Sequence, residues 1–106
     1  MPRPKGCLGE TKLKILAIIY RNELNGKVSY GYAIWTTLKE ELHCYLDLGN
    51  LRNVYRHLND LLNLGLVRKS AGKSVDNAPR RQLYHLTKDG RQLKHDFKEY
   101  FHILET

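Results

Sequence analysis

With 106 residues, 42% of them hydrophobic and 27% charged, the chain is sized for a single domain around one core. No apolar run approaches the roughly 20 residues of a membrane span, and the best candidate, LKILAIIY, is broken by Lys14 and lacks a small-residue cleavage site, which argues against anchoring and export. The net charge of +7 arises in two segments, residues 50–81 with seven basic residues against two acidic and residues 1–14 with four against one, and a surplus gathered in this way suits docking on a polyanion better than mere solubility.

Residues 11–24, TKLKILAIIYRNEL, are apolar around most of a helical circumference, which predicts a central helix buried on more than one side. NGK then breaks the chain. Ser29 is placed to cap a second helix, YGYAIWTTLKEEL, in which Tyr30, Ile34, Leu38 and Leu42 share a face and Gly31 costs little in the first turn. HCYLDLG reads as a short connector, with Asp47 or Asn50 available as the next cap.

The periodicity is clearest in residues 50–67, NLRNVYRHLNDLLNLGLV. Leu51, Val54, Tyr55, Leu58, Leu61 and Leu62 recur at spacings of three and four, the pattern of one helical face on a core, and Gly65 stands where a left-handed C-terminal cap is expected. The opposite side carries Arg52, Asn53, Arg56 and His57, then Asn59, Asp60 and Asn63. Arginines and amides in place of the usual Glu/Lys mixture are the groups that form paired hydrogen bonds to base edges and phosphates. Taken alone, such a face is more often solvated surface than a reading head, so its neighbours must decide.

LVRKS reads as a strand, SAGKSVDNAP as a solvated loop, and RRQLYHL as a second strand with Gln82, Tyr84 and Leu86 on one face and Arg81, Leu83 and His85 on the other. Thr87 is placed to cap a last helix whose Leu93, Phe97, Tyr100, Phe101 and Leu104 form another stripe. The expected fold is therefore mainly α with a small β-hairpin, a winged helix-turn-helix with an additional C-terminal helix, in one domain over residues 1–106. In that arrangement the third helix enters the major groove and the hairpin flanks the duplex. Candidate DNA contacts are Ser29 and Tyr30 at the second helix, Asn50, Arg52, Asn53, Tyr55, Arg56 and His57 on the third, and Lys69, Lys73, Arg80 and Arg81 on the wing. Asp60, a poor neighbour for phosphate, is expected beyond the contact region.

Over about residues 11–95 the chain resembles the PadR family of winged-helix transcriptional regulators, on the strength of ILAII in the first helix, YGYAIW opening the second, VYRHLNDLLNLGLV closing the third, and YHLTKDGRQL after the wing. The family pattern at the third helix runs Gly, Ser or Thr, Leu, Tyr, Pro. Arg52, Asn53, Val54, Tyr55 and Arg56 stand there in this chain, so the tyrosine matches and the glycine and proline do not. The resemblance implies a dimeric repressor of the family's short class. With the aromatic stripe it points to Leu93, Phe97, Tyr100, Phe101 and Leu104, within residues 87–106, as the dimerising surface; the alternative is that the stripe covers the first helix of its own chain. A two-fold dimer would bind an inverted-repeat operator with half-sites roughly 34 Å apart.

Other chemistry finds little support. Cys7 and Cys44 match no metal-ligand spacing and read as reduced thiols, which fits a cytoplasmic, nucleoid-associated protein. His95 and His102 share a helical face without the ligands to complete a tetrahedral site, no nucleophile motif is present, and SAGKS lacks P-loop spacing. Neither an enzyme nor a bound cofactor or metal is expected. Trp35 and nearby tyrosines offer a lining for a small-molecule effector, although aromatics at helical spacing usually build core. The leading expectation is a sequence-specific double-stranded DNA-binding regulator; the alternatives are a winged-helix protein-interaction module and a chromatin-type protein that coats DNA without regard to sequence. RNA is disfavoured, since the A-form major groove excludes a helix.

Overall fold

A computed structural model describes residues 10–42, 51–71 and 82–105. Helix α1 (Glu10–Leu24) is the centre of the molecule. Ile15, Leu16, Ala17, Ile18 and Ile19 are all fully buried, and five consecutive enclosed positions require neighbours on every side of a helix, as its all-round apolar sequence predicts. The helix closes at Gly26, whose φ of +70° suits glycine, and the Lys27 amide returns to the Asn22 carbonyl at 2.7 Å.

Helix α2 (Gly31–Glu40) follows with Ile34, Trp35 and Leu38 buried. Ser29 does not cap it. The cap position belongs to Tyr30, in an extended conformation and without a side-chain cap bond, while the Ser29 hydroxyl accepts from Asn22 Nδ2 at 3.0 Å. Asn22 and Ser29 are both buried, so each needs a partner inside the fold, and that demand outweighs a cap that water can replace. Tyr30, expected on the buried face, is only partly covered; Ile34, Leu38 and Leu42 are buried as the pattern predicts.

Helix α3 (Leu51–Asn63) buries Val54, Leu58 and Leu61. It ends in a Schellman motif: Leu66 N–H donates to the Leu61 carbonyl and Gly65 N–H to the Leu62 carbonyl, both at 3.0 Å, with Gly65 at φ +76°. Strand β1 (Val67–Ala71) pairs antiparallel with β2 (Gln82–Leu86), Val67 opposite Leu86 and Lys69 opposite Tyr84. Alternation then puts Val67, Tyr84 and Leu86 on the core side. The other edge of β2 is also closed, because Tyr84 N–H donates to the Ser29 carbonyl at 2.8 Å and Leu86 N–H to Glu23 Oε1 at 3.0 Å.

The expected last helix is two helices. Thr87 caps the short α4 (Lys88–Arg91), accepting from Gly90 N–H at 3.1 Å while its hydroxyl donates to the Gly65 carbonyl at 2.6 Å. Gly90 permits this approach, since a Cβ there would collide with the Leu66 carbonyl oxygen. After the turn at Gln92 and Leu93 comes α5 (Lys94–Glu105). Its stripe lies on the core of its own chain: Phe97 and Leu104 are buried, Leu93, Tyr100 and Phe101 pack against them, and the Tyr20 ring of α1 meets those of Phe97 and Phe101 at 5.6 and 5.2 Å. Phe97 and Leu104, expected on a dimerising surface, are buried within the single chain. An α1 that is apolar all round receives four elements, α2, α3, β2 and α5.

Phe97→Ala should destabilise the fold by about 3–5 kcal/mol in urea titrations, as expected for a fully buried aromatic. Gly90→Ala should cost about 1–3 kcal/mol, because the obstacle is backbone and cannot rotate away.

Candidate nucleic-acid interface

The stripe that buries Val54, Leu58 and Leu61 turns Arg52, Asn53, Arg56, Asn59 and Asn63 outward, and all five are exposed. Arg52 and Arg56 are one turn apart on the same side, each carrying a planar fork of donors. The fold treats its arginines unequally. Arg21 is paired with Glu41 at 2.7 Å and Arg91 with Glu23 at 3.1 Å, whereas Arg52, Arg56 and Arg68 have no ion pair among the described residues. Guanidinium groups left without protein partners remain available to phosphate or base edges.

Tyr55 ties this helix to the rest of the site. It is 41% exposed, and its ring lies over Gly31 so closely that a Cβ at Gly31 would overlap it. Burial first, and the Tyr55 phenol second, push the Tyr84 hydroxyl above its ordinary pKa. One aromatic ring of α3 thus packs on the start of α2. The glycine between two tyrosines in YGY was the sequence signal for this contact, and spacing alone does not reveal it.

His57 and Asp60 occupy the flank of α3 nearest α1. Lys12 Nζ lies 3.1 Å from His57 Nδ1 and 3.4 Å from Asp60 Oδ2. Burial, then the Lys12 charge, holds His57 below the usual histidine range; Arg56 acts in the same direction and Asp60 opposes both. Asp60, one turn after Arg56, is therefore engaged with Lys12 while its side chain stays half exposed. Lys12 itself escaped the sequence reading, because nothing in its local pattern announces a neighbour forty-five residues later.

On the wing, register separates two cations that sequence places side by side. Lys69 stands opposite Tyr84 on the face directed to the body of the protein, although its own side chain is exposed; Arg68 stands opposite His85 on the outer face, where Ser70 Oγ and His85 Nε2 lie 2.8 Å apart. Ser29 is turned inward and bonded to Asn22, so its hydroxyl is not offered to a ligand, and Tyr30 is half-buried at the start of α2. Asn50, Lys73, Arg80 and Arg81 lie outside the described residues. Trp35 is buried beneath the Lys39 ammonium at 4.4 Å and beside the Tyr32 ring, the packing of a core residue. Among the described residues no helix is long and apolar enough to cross a membrane, and no group of three His, Cys, Asp or Glu side chains could hold a metal ion.

A three-helix unit with an antiparallel wing and an exposed cationic third helix defines a winged helix-turn-helix protein. The model of the transcriptional regulator PadR-like family matches residues 15–96, and the chain belongs to that family. None of the curated proteins matches it in sequence. Among solved structures it is similar to Bacillus subtilis PadR in complex with operator DNA, at 23% identity and a TM-score of 0.67, covering 86% of this chain but 47% of that one. A PadR family transcription regulator from Clostridium difficile gives 20% identity and the same TM-score, with 92% of each chain covered. RosR of H. salinarum gives 29% identity and a TM-score of 0.61, covering 92% of this chain and 76% of that one.

The depressed pKa of His57 has a definite sign for stability. Above the unfolded value of 6.5 the ring is neutral in both states; below it the unfolded chain takes up a proton first, so stability falls as pH drops through the lower folded value. His57→Gln should therefore lose less stability than wild type on acidification below 6.5, read from urea midpoints across a pH series.

Proposed function

We propose that this protein is a sequence-specific double-stranded DNA-binding transcriptional regulator, acting as a dimeric repressor that occupies an inverted-repeat operator. The observation that carries this reading is the pair Arg52 and Arg56, exposed and without ion-pair partners among the described residues, on a helix whose other side is core. The membership of the PadR-like family supports it, as does the operator DNA named for the B. subtilis neighbour. In this account α3 lies in the major groove with Arg52, Asn53 and Arg56 toward base edges, and Lys69 neutralises backbone charge from the wing. The Tyr55 contact with Gly31 keeps α2 and α3 in fixed relation while they dock.

Dimer formation finds its support at the last helix. With Phe97 and Leu104 committed to the core, the remaining apolar surface of α5 is Ile103, 46% exposed, and the outer edges of Tyr100 and Phe101. Two copies related by a two-fold axis would set their reading helices about one turn of DNA apart.

Selection of bound duplexes from a random pool should return an inverted repeat with half-sites separated by roughly 34 Å. Arg56→Ala should weaken binding to that site by about 1–3 kcal/mol, and wild-type affinity should fall steeply between low and moderate salt. Retention of full affinity after replacement of both Arg52 and Arg56 would instead indicate a protein-interaction module, and a pool that returns no consensus would indicate a DNA-coating protein.

A further inference from the structure

The contact between His57 and Lys12 bears on what the reading helix can recognise, and its meaning rests on the DNA-binding role proposed above. An ammonium has donors only, so the 3.1 Å contact requires an unprotonated Nδ1; the neutral imidazole then holds its proton on Nε2. Nε2 has no hydrogen-bond partner among the described residues, and the half-exposed ring follows directly after Arg56 on α3. The fold has thus engaged one nitrogen from the protein side and left a donor of defined identity on the other.

We propose that Lys12 fixes His57 as a donor-only contact, its Nε2–H given to a hydrogen-bond acceptor of bound duplex DNA, so that His57 is a specificity-determining residue and Lys12 its positioning residue. The acceptor is the N7 or O6 edge of a purine; a phosphate acceptor would leave the contact without sequence preference and would overturn the specificity role. An N–H at that point has nothing to accept from the amino groups of adenine or cytosine, which gives the position a direction of preference. The charged groups facing the ring are Lys12 from α1 and Arg56 and Asp60 from α3. Two cations and partial burial act against one carboxylate, so the ring stays neutral below the pH at which a free histidine charges. Once protonated, Nδ1–H would meet the ammonium donor to donor, and the Lys12 contact would be lost while Asp60 kept its lysine.

The test uses the full chain and a duplex taken from the random-pool selection. His57→Leu removes the donor and should weaken binding about tenfold, whereas His57→Gln, whose amide N–H reaches close to the position of Nε2, should recover most of the loss. Lys12→Met removes the cation that disfavours protonation. A nitrogen-resolved NMR titration should then show His57 charging at higher pH, with the pH dependence of duplex binding shifted alongside; a lysine that only supports packing would leave both unchanged. Duplexes carrying a single deazapurine lacking N7, a single 2-aminopurine in place of guanine and so lacking O6, or a single neutral methylphosphonate linkage separate the sources of the acceptor. The substitution that abolishes the difference between wild type and His57→Leu identifies it.

A protonated Nδ1 and bare Nε2 in the free protein at neutral pH would overturn the assignment. So would wild-type affinity in His57→Leu while Arg56→Ala binds weakly, a result that leaves the reading helix standing. Wild-type affinity in both variants would overturn the role of α3 as the reading helix and this inference with it.

Discussion

Burial of Val54, Leu58 and Leu61 along one side of a 13-residue helix decides the direction of every other side chain on it. Each of these residues contributes roughly 1.5–3 kcal/mol by leaving water. A rotation of α3 by one residue would expose leucine and bury arginine, a change far more costly than any contact made by the outward face could offset. The cationic surface is therefore set by the core beneath it. The Schellman motif at Gly65 and the close passage of Gly90 beneath the Leu66 carbonyl then fix where the chain leaves α3, which sets the wing beside the helix.

The distribution of ion pairs follows from the same geometry. Carboxylates are placed where elements must be joined: Glu41 holds Arg21 between α2 and α1, Glu23 holds both Arg91 and the Leu86 amide, and Asp60 holds Lys12 across α3 and α1. Exposed pairs of this kind contribute little to stability in salt. Their effect here is spatial: among the described residues these carboxylates are occupied at the seams between elements, and none of them pairs with Arg52 or Arg56.

Much of this architecture was legible in the sequence because it depends on local period. The buried face of α3, the burial of α1 on all sides and the alternation of β2 follow from spacings of three, four and two, which act within a few residues. What escaped detection depends on partners far along the chain. Ser29 has the composition of a helix cap, and only the nearness of Asn22 and the edge of β2 assigns it inward. The stripe on α5 is a correct reading of amphipathicity, but periodicity states that a face is covered without stating by what, and the cover is α1 of the same chain. Gly31 looked like a tolerated defect in a first turn; the ring of Tyr55 makes it a requirement. Lys12 belongs to the site solely because α1 passes the flank of α3.

Arg52 and Arg56 have a further significance in relation to the family. They stand at the two places where the family pattern has glycine and proline, residues with no side-chain donor, whereas each guanidinium brings five N–H groups in a rigid fork. The matching position between them, Tyr55, is the one engaged with Gly31. Agreement with the family therefore falls on the residue that holds the helices together, and departure falls on the residues that project outward. A scaffold shared at 20–29% identity with the solved relatives fits that division. If α3 reads base edges, its recognition chemistry depends on groups the family pattern lacks at those positions, so a relative's operator cannot be transferred to this protein; the preferred duplex has to follow from the arginines, the amide of Asn53 and the donor of His57 in this chain.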